Sequence, residues 1–198
     1  MNIFDIVARA YPLIIQVIVL GHFIGTRNKE SIYLFVWFLF NEFINKSSKL
    51  LLKSVFKDKE IPILGKGERP QTKNCGMIAD GSKSSSYGTP SGHSQFASFF
   101  SLYSVLVIND LPIEQAVKYV YFVLLGLVAI WIMYTRLQFK CHTIQQIIFG
   151  ALIGGILAFI AYKIKKTTMV NKLEQIEIDF HKKHKHSHDN GKVHVHND

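Results

Sequence analysis

The chain has 198 residues, nearly half of them hydrophobic, and a formal net charge of +9 that gathers in the connecting stretches and the C-terminal end. The apolar residues come in long uncharged blocks, which excludes an ordinary soluble domain, and the alternation of a membrane barrel is absent. Polytopic membrane proteins carry such a positive excess in their loops and no nucleic-acid-binding module is recognisable, so nucleic acid is not an expected partner.

No charge occurs in residues 119–135 or 143–162, and the second block is close to bilayer length. Backbone groups in lipid must pair internally, so the expected fold is an all-α polytopic membrane helix bundle of about five spans, with a long polar loop before the third. The spans fall at residues 6–25, 31–52, 91–109, 117–134 and 143–162. The first is short and has Arg9 and Pro12 near its start. Residues 1–10 contain Asp5 and Arg9 and lack the layout of a cleaved signal peptide, so a retained span is expected. The second opens as YLFVWFLF and then carries Asn41, Glu42 and Asn45. Polar groups at membrane depth face protein or a water-filled cavity, and the favoured reading is that Asn41 and Asn45 bond neighbouring helices.

Residues 53–90 form a long polar connection, of the kind that carries function or is disordered. It ends in Pro90-Ser91-Gly92-His93 and runs straight into the third apolar block. Small residues let backbone N–H groups approach a ligand, and the first turn of a helix presents unpaired N–H groups at the positive end of its dipole. Phosphate is the usual occupant of such a turn, and His93 adds a group that titrates near neutrality. The competing reading is an ordinary loop-to-helix junction capped by serine. Residues 135–142 form a short basic connection. In a five-span path it emerges on the same side as the long loop, bringing Arg69, His93, Arg136 and His142 to one membrane surface.

These are basic side chains and histidines without a carboxylate cluster, whereas a metal-dependent phosphatase would need Asp, Glu and His ligands. No metal and no cofactor is expected. His142 suits attack on phosphorus if a neighbour fixes its tautomer, and His93 suits protonation of the departing oxygen. Lys53, Arg69, Arg136 and the backbone of Ser91, Gly92 and His93 would stabilise the equatorial oxygens. Cys75 and Cys141 are too few for a disulfide framework, do not resemble a structural zinc set, and leave their pairing open.

Arg69-Pro70, then Pro90-Ser91-Gly92-His93, then Arg136-x5-His142 resembles the three-part signature of the type 2 phosphatidic acid phosphatase superfamily of membrane phosphatases. The resemblance extends from about residue 41 to 155. It implies metal-independent hydrolysis through a phosphohistidine, with His142 as nucleophile and His93 as acid. The family lysine normally stands six residues before Arg-Pro, a slot held here by Pro62. Lys53 is the assigned equivalent, followed by an insertion, with Lys49, Lys57 and Lys66 as substitutes.

Most of the superfamily has Asp four residues after the nucleophile, where this chain has Gln146. That spacing puts Gln146 on the helix face of His142, with its amide oxygen able to orient the ring. Exchanging the orienting Asp for Asn costs serine proteases about 10⁴ in turnover, so Gln146 alone raises the reading of a silent lipid-head-group binder. However, His142-Thr143-x-x-Gln146, the run YGTPSGHSQF and Asn41-Glu42-x-x-Asn45 are similar to the dolichyl diphosphate phosphatase branch. That likeness makes Gln146 a branch marker.

The resemblance implies a polyprenyl diphosphate substrate, dolichyl diphosphate above all, and a site at the lumenal face of the endoplasmic reticulum that recycles the N-glycosylation carrier. Phosphatidate and undecaprenyl diphosphate remain alternative substrates. Phe96, Phe99 and Phe100 are candidates for an isoprene wall or for helix packing. Arg27, Lys29, Lys163, Lys165 and Lys166 lie on the side opposite the site, which the positive-inside rule makes cytosolic. Residues 1–166 are read as the phosphatase domain and 167–198 as a basic, disordered cytosolic tail. Its six histidines, His181, His184, His186, His188, His194 and His196, suit metal capture or a plain solvated tail, and the second is favoured. Sequence does not set the oligomeric state.

Overall fold

The computed structural model describes residues 2–56, 60–61, 65–76 and 81–189. Five helices follow one another: α1 (Ile3–Thr26), α2 (Lys29–Phe56), α3 (Gly92–Asn109), α4 (Gln115–Gln138) and α5 (Ile144–Asp189). The long connection between α2 and α3 holds one two-residue antiparallel pair, β1 (Glu60–Ile61) with β2 (Gly65–Lys66). The chain divides into two compact units, Met1–Ala161 and Tyr162–Asp198.

Local chemistry sets the helix ends. Asn2 caps α1 by accepting the Asp5 N–H at 2.8 Å. Arg27 ends it in the left-handed region, φ 54°, while its N–H reaches back to the Phe23 carbonyl. The Asn28 side chain then accepts the Glu30 N–H and starts α2. Between α3 and α4 the Lys118 ammonium closes the short link by bonding the Asn109 carbonyl at 2.7 Å.

Helices α1, α4 and residues Ile144–Thr168 of α5 are long and apolar enough to cross a membrane. Helices α2 and α3 are diluted by polar residues, and those residues are spent inside the bundle. Asn45 donates to the Gln95 amide oxygen at 2.8 Å, and the Gln95 amide nitrogen donates to the Asn41 carbonyl and side chain at 2.9 and 3.0 Å. Asn41 and Asn45 thus bond a neighbouring helix, because an unpaired amide at that depth would cost several kcal/mol. Ser98 and Ser101 bond the carbonyls of Ala151 and Leu125.

Phe96 and Phe99 are buried against Phe38, with the Phe38 and Phe96 rings 4.8 Å apart, so these aromatics pack α2 on α3. Helix α5 approaches α3 through Gly150-x-x-x-Gly154. A β-carbon at Gly154 would lie 2.0 Å from the Gln95 carbonyl oxygen, and one at Gly150 would lie 2.5 Å from that of Ser91. Bare glycine lets the two backbones touch, and this sets the start of α5 against the Pro90–His93 turn.

The backbone of α5 is helical as far as Asp189, past the point near Lys166 where composition suggested an unstructured tail. No proline or glycine lies in residues 156–189, so no residue there breaks the helix. Of the tail histidines, His194 and His196 lie outside the described residues, as does Lys57.

Candidate active site

The start of α5 is a reciprocal cap. Thr143 Oγ1 accepts the Gln146 N–H at 3.3 Å, and Gln146 Oε1 accepts the Thr143 N–H at 3.4 Å, the pairing a Thr-x-x-Gln sequence favours. The same Oε1 lies 3.0 Å from His142 Nδ1. The Gln146 amide nitrogen donates to the carbonyls of Lys66, at 3.0 Å, and Glu68, at 2.7 Å. Two carbonyls only accept, so the amide is fixed with its oxygen toward His142. His142 Nδ1 must therefore carry the proton, which leaves a lone pair on Nε2. Gly88 leaves room for this, since a β-carbon there would sit 2.8 Å from both Gln146 side-chain atoms.

Arg69 Nη1 donates to that Nε2 at 2.9 Å and to the Cys141 carbonyl at 3.3 Å. Its other nitrogens are held by the Ser86 carbonyl and hydroxyl at 3.1 and 2.8 Å. His142 is pushed well below its ordinary value, to about 2, first by burial and then by the charges of Arg69 and Lys49. The ring is neutral at physiological pH. Burial lowers Arg69 as well.

Arg136 is almost wholly buried, with Nε and Nη2 on the Thr135 hydroxyl and the guanidinium over the Phe139 ring. Ser91 caps α3, accepting the Ser94 N–H and hydroxyl. Its own N–H is taken by the Gln146 carbonyl at 3.0 Å, so the Ser91 N–H is not open to an anion; Gly92 and His93 supply the turn's remaining first N–H groups. His93 Nε2 lies 2.9 Å from the Arg9 carbonyl and donates to it, since a carbonyl has no proton to give. In the neutral ring Nδ1 is then the nitrogen that carries the lone pair.

Lys53 is exposed and lines a cavity of about 140 Å³ with Arg69, Glu68 and Tyr87. Lys49 lies one turn earlier on α2, beside a cavity of about 270 Å³ that Lys53 and Tyr87 also line. Of the two lysines, Lys49 is the one whose charge acts on His142. Lys66 contributes its carbonyl, not its ammonium, to the Gln146 amide. None of Lys49, Arg69 and Arg136 forms an ion pair among the described residues. No group of three His, Cys, Asp or Glu side chains able to hold a metal ion occurs among those residues.

The profile of the PAP2 superfamily matches residues 32–169, which takes in every residue of this cluster. The chain belongs to the PAP2 superfamily. It is similar to Dolichyldiphosphatase 1 of Dictyostelium discoideum, 28% identical over 172 residues that cover 82% of this chain and 64% of that protein. The Dolichyldiphosphatase of Saccharomyces cerevisiae is 26% identical, covering 84% of this chain and 66% of its own length. The human Dolichyldiphosphatase 1 is 35% identical over 80 residues, 36% of this chain and 34% of that protein. The chain thus spans about a third of the human relative and under two thirds of the Dictyostelium one. A transmembrane PAP2-type phosphatidylglycerolphosphate phosphatase from Bacillus subtilis shares the fold, with a TM-score of 0.58, 19% identity, and coverage of 80% of this chain and 70% of that one.

Two features of this PAP2 site were not drawn from sequence. Cys75 and Cys141 form a disulfide across 66 residues, one position before His142. Arg9 reaches the cluster from α1, bonding the carbonyls of Asn74 and Gly76 on either side of Cys75 and lying 4.0 Å from the Phe139 ring centroid. A charge near the start of an otherwise apolar span was the signal for Arg9. For the disulfide there was none.

Proposed function

We propose that this chain hydrolyses a polyprenyl diphosphate, dolichyl diphosphate above all, to the monophosphate and inorganic phosphate. The observation that carries the proposal is His142 in its Nδ1–H form, its Nε2 lone pair beside Arg69 among cations that form no ion pair with the described residues. A phosphate entering the site takes over the Arg69 N–H and frees Nε2. Nε2 attacks the terminal phosphorus as the bridging P–O bond breaks, and His93, entering the step as an imidazolium whose second proton on Nδ1 is held by the charge of the bound diphosphate, protonates the departing lipid phosphate oxygen. Gln146 Oε1 holds the Nδ1 proton of the resulting phosphohistidine. Neutral His93 then takes a proton from water as its oxygen attacks phosphorus, the P–N bond breaks, and phosphate leaves. Arg69, Arg136, Lys49 and the N–H groups of Gly92 and His93 meet the equatorial charge. Lys53 and Ser91 are assigned to the wall, not to the reacting oxygens.

The cavities support a lipid diphosphate. The space beside Arg69 adjoins the one along Lys46, Lys49 and Lys53, and a third, about 270 Å³, runs from Lys49 to Pro12, Gln16 and Phe96 between α1, α2 and α3. That is a path from the charged head group into a crevice where Pro12 and Phe96 stand beside the polar Asn41, Glu42 and Asn45. The disulfide supports a lumenal or exoplasmic site, since disulfides persist in oxidising compartments. Arg27 and Lys29, between α1 and α2, supply the opposite face with positive charge.

The test is phosphate release by the purified protein, in chelator, from dolichyl diphosphate, dolichyl phosphate and phosphatidate. Release chiefly from the diphosphate, abolished in His142→Ala, is expected. Preference for phosphatidate would reassign the substrate, activity of His142→Ala would overturn the mechanism, and no release at all would favour a silent head-group binder.

A further inference from the structure

We propose that Arg9, outside the Arg-Pro, Pro-Ser-Gly-His and Arg-x5-His motifs, is a positioning residue that sets His93 in register with His142. The inference rests on the hydrolytic reading above. Arg9 is 6% exposed, two turns into α1. Its two ends serve the two histidines separately. The main-chain oxygen receives the His93 Nε2 proton at 2.9 Å and so fixes the ring that must present Nδ1. The guanidinium works on the side of His142. Its Nη1 bonds the Asn74 carbonyl and, at 3.1 Å, the Gly76 carbonyl, which bracket Cys75. Cys75 is bonded to Cys141, the residue before His142, and the guanidinium also stacks on Phe139, two residues before Cys141.

His142 itself is held independently by Gln146 and Arg69. Shortening the Arg9 side chain therefore leaves the nucleophile seated but releases α1, and with it the carbonyl that seats the acid. A misplacement near 1 Å in such a group costs about 10²-fold in rate. In the first transfer, which kcat/KM reports, the loss falls on proton delivery and grows with the basicity of the leaving group; in the second step it falls on activation of water and is the same for every substrate. A general loosening of the fold would slow all substrates alike.

Purified full-length protein is compared with Arg9→Met, Arg9→Lys and Phe139→Leu, using phenyl phosphate and p-nitrophenyl phosphate. The expected result is a fall of about tenfold or more in kcat/KM for phenyl phosphate, with kcat/KM for p-nitrophenyl phosphate changed less than about threefold. Arg9→Lys regains part of the loss and Phe139→Leu reproduces part of it. Equal falls in kcat/KM for both substrates, or none, overturn the proposal. A second measurement needs no turnover: the rate at which dithiothreitol reduces Cys75–Cys141 should rise several-fold in Arg9→Met and less in Arg9→Lys. If the parent releases no phosphate from these probes or from dolichyl diphosphate, the hydrolytic reading fails, and an unchanged reduction rate overturns the clamp separately. Should Arg9→Met fail to fold, Arg9→Lys and Phe139→Leu carry both measurements.

Discussion

Gln146 Oε1 faces His142 Nδ1 at 3.0 Å because the other end of the same amide is tied to the carbonyls of Lys66 and Glu68. All four of its hydrogen-bonding positions are used, since Oε1 also takes the Thr143 N–H. A carboxylate in this place would accept from His142 and repel both carbonyls. Glutamine is therefore the residue that this particular loop requires.

Gln146→Glu tests that statement directly. It keeps the shape but strips two buried carbonyls of their donor, at about 1–3 kcal/mol for each acceptor left unpaired. A lower thermal midpoint and at least about a tenfold loss of phosphate release are expected. A Gln146→Glu protein as stable and active as the parent would show that the two carbonyl bonds are dispensable.

Stability should depend on pH through His142. Its folded value, about 2, lies below the ordinary 6.5, so between those limits the unfolded chain binds the extra proton. Folding is unaffected by this group above 6.5 and loses about 1.4 kcal/mol for each pH unit below it. Relative to His142→Gln, the parent should lose about 2 kcal/mol between pH 6.5 and pH 5. Parallel curves of thermal midpoint against pH would contradict a neutral, buried His142.

The contact of α5 with α3 is expected to tolerate no side chain at Gly154, where a β-carbon would meet the Gln95 carbonyl oxygen at 2.0 Å. Gly154→Ala should separate the helices and weaken the Asn41–Gln95–Asn45 network. Overpacking of this kind costs about 1–3 kcal/mol, visible as a lower midpoint in detergent. Gly126, with open space around it, is the control: Gly126→Ala should leave the midpoint unchanged or raised.

Lys49 and Lys53 are separable by kinetics. Lys49 bears on His142 and Lys53 is exposed at the rim, so Lys49→Gln should lower kcat by about 10²-fold, as loss of one charged donor does. Lys53→Gln should act mainly on KM. The opposite ranking would return the family lysine to position 53.

Much of the helical layout was legible because uncharged blocks and turn residues are local signals. The polar residues of α2 and α3 were readable as internal bonds, since an amide at membrane depth has few other outlets. The grouping of Arg69, His93, Arg136 and His142 followed from counting spans between them. What could not be read depends on contacts between segments far apart in the chain. Ser91 carried every mark of an anion-binding N–H, yet that N–H is used by a carbonyl 55 residues later. Arg9 looked like a flaw in a weak span, and only folding shows its two carbonyl partners near residue 75. The choice between Lys49 and Lys53 turns on one helical turn, finer than a motif interrupted by an insertion resolves.

The Cys75–Cys141 bond has one more consequence. It closes a covalent ring that contains α3 and α4 whole, and with them His93 and Arg136. A protease that nicks the link between those helices, at residues 110–114, would leave a single molecule on a non-reducing gel and two fragments after reduction. The piece bearing His93 and the piece bearing His142 would stay tethered after the backbone between them had been cut.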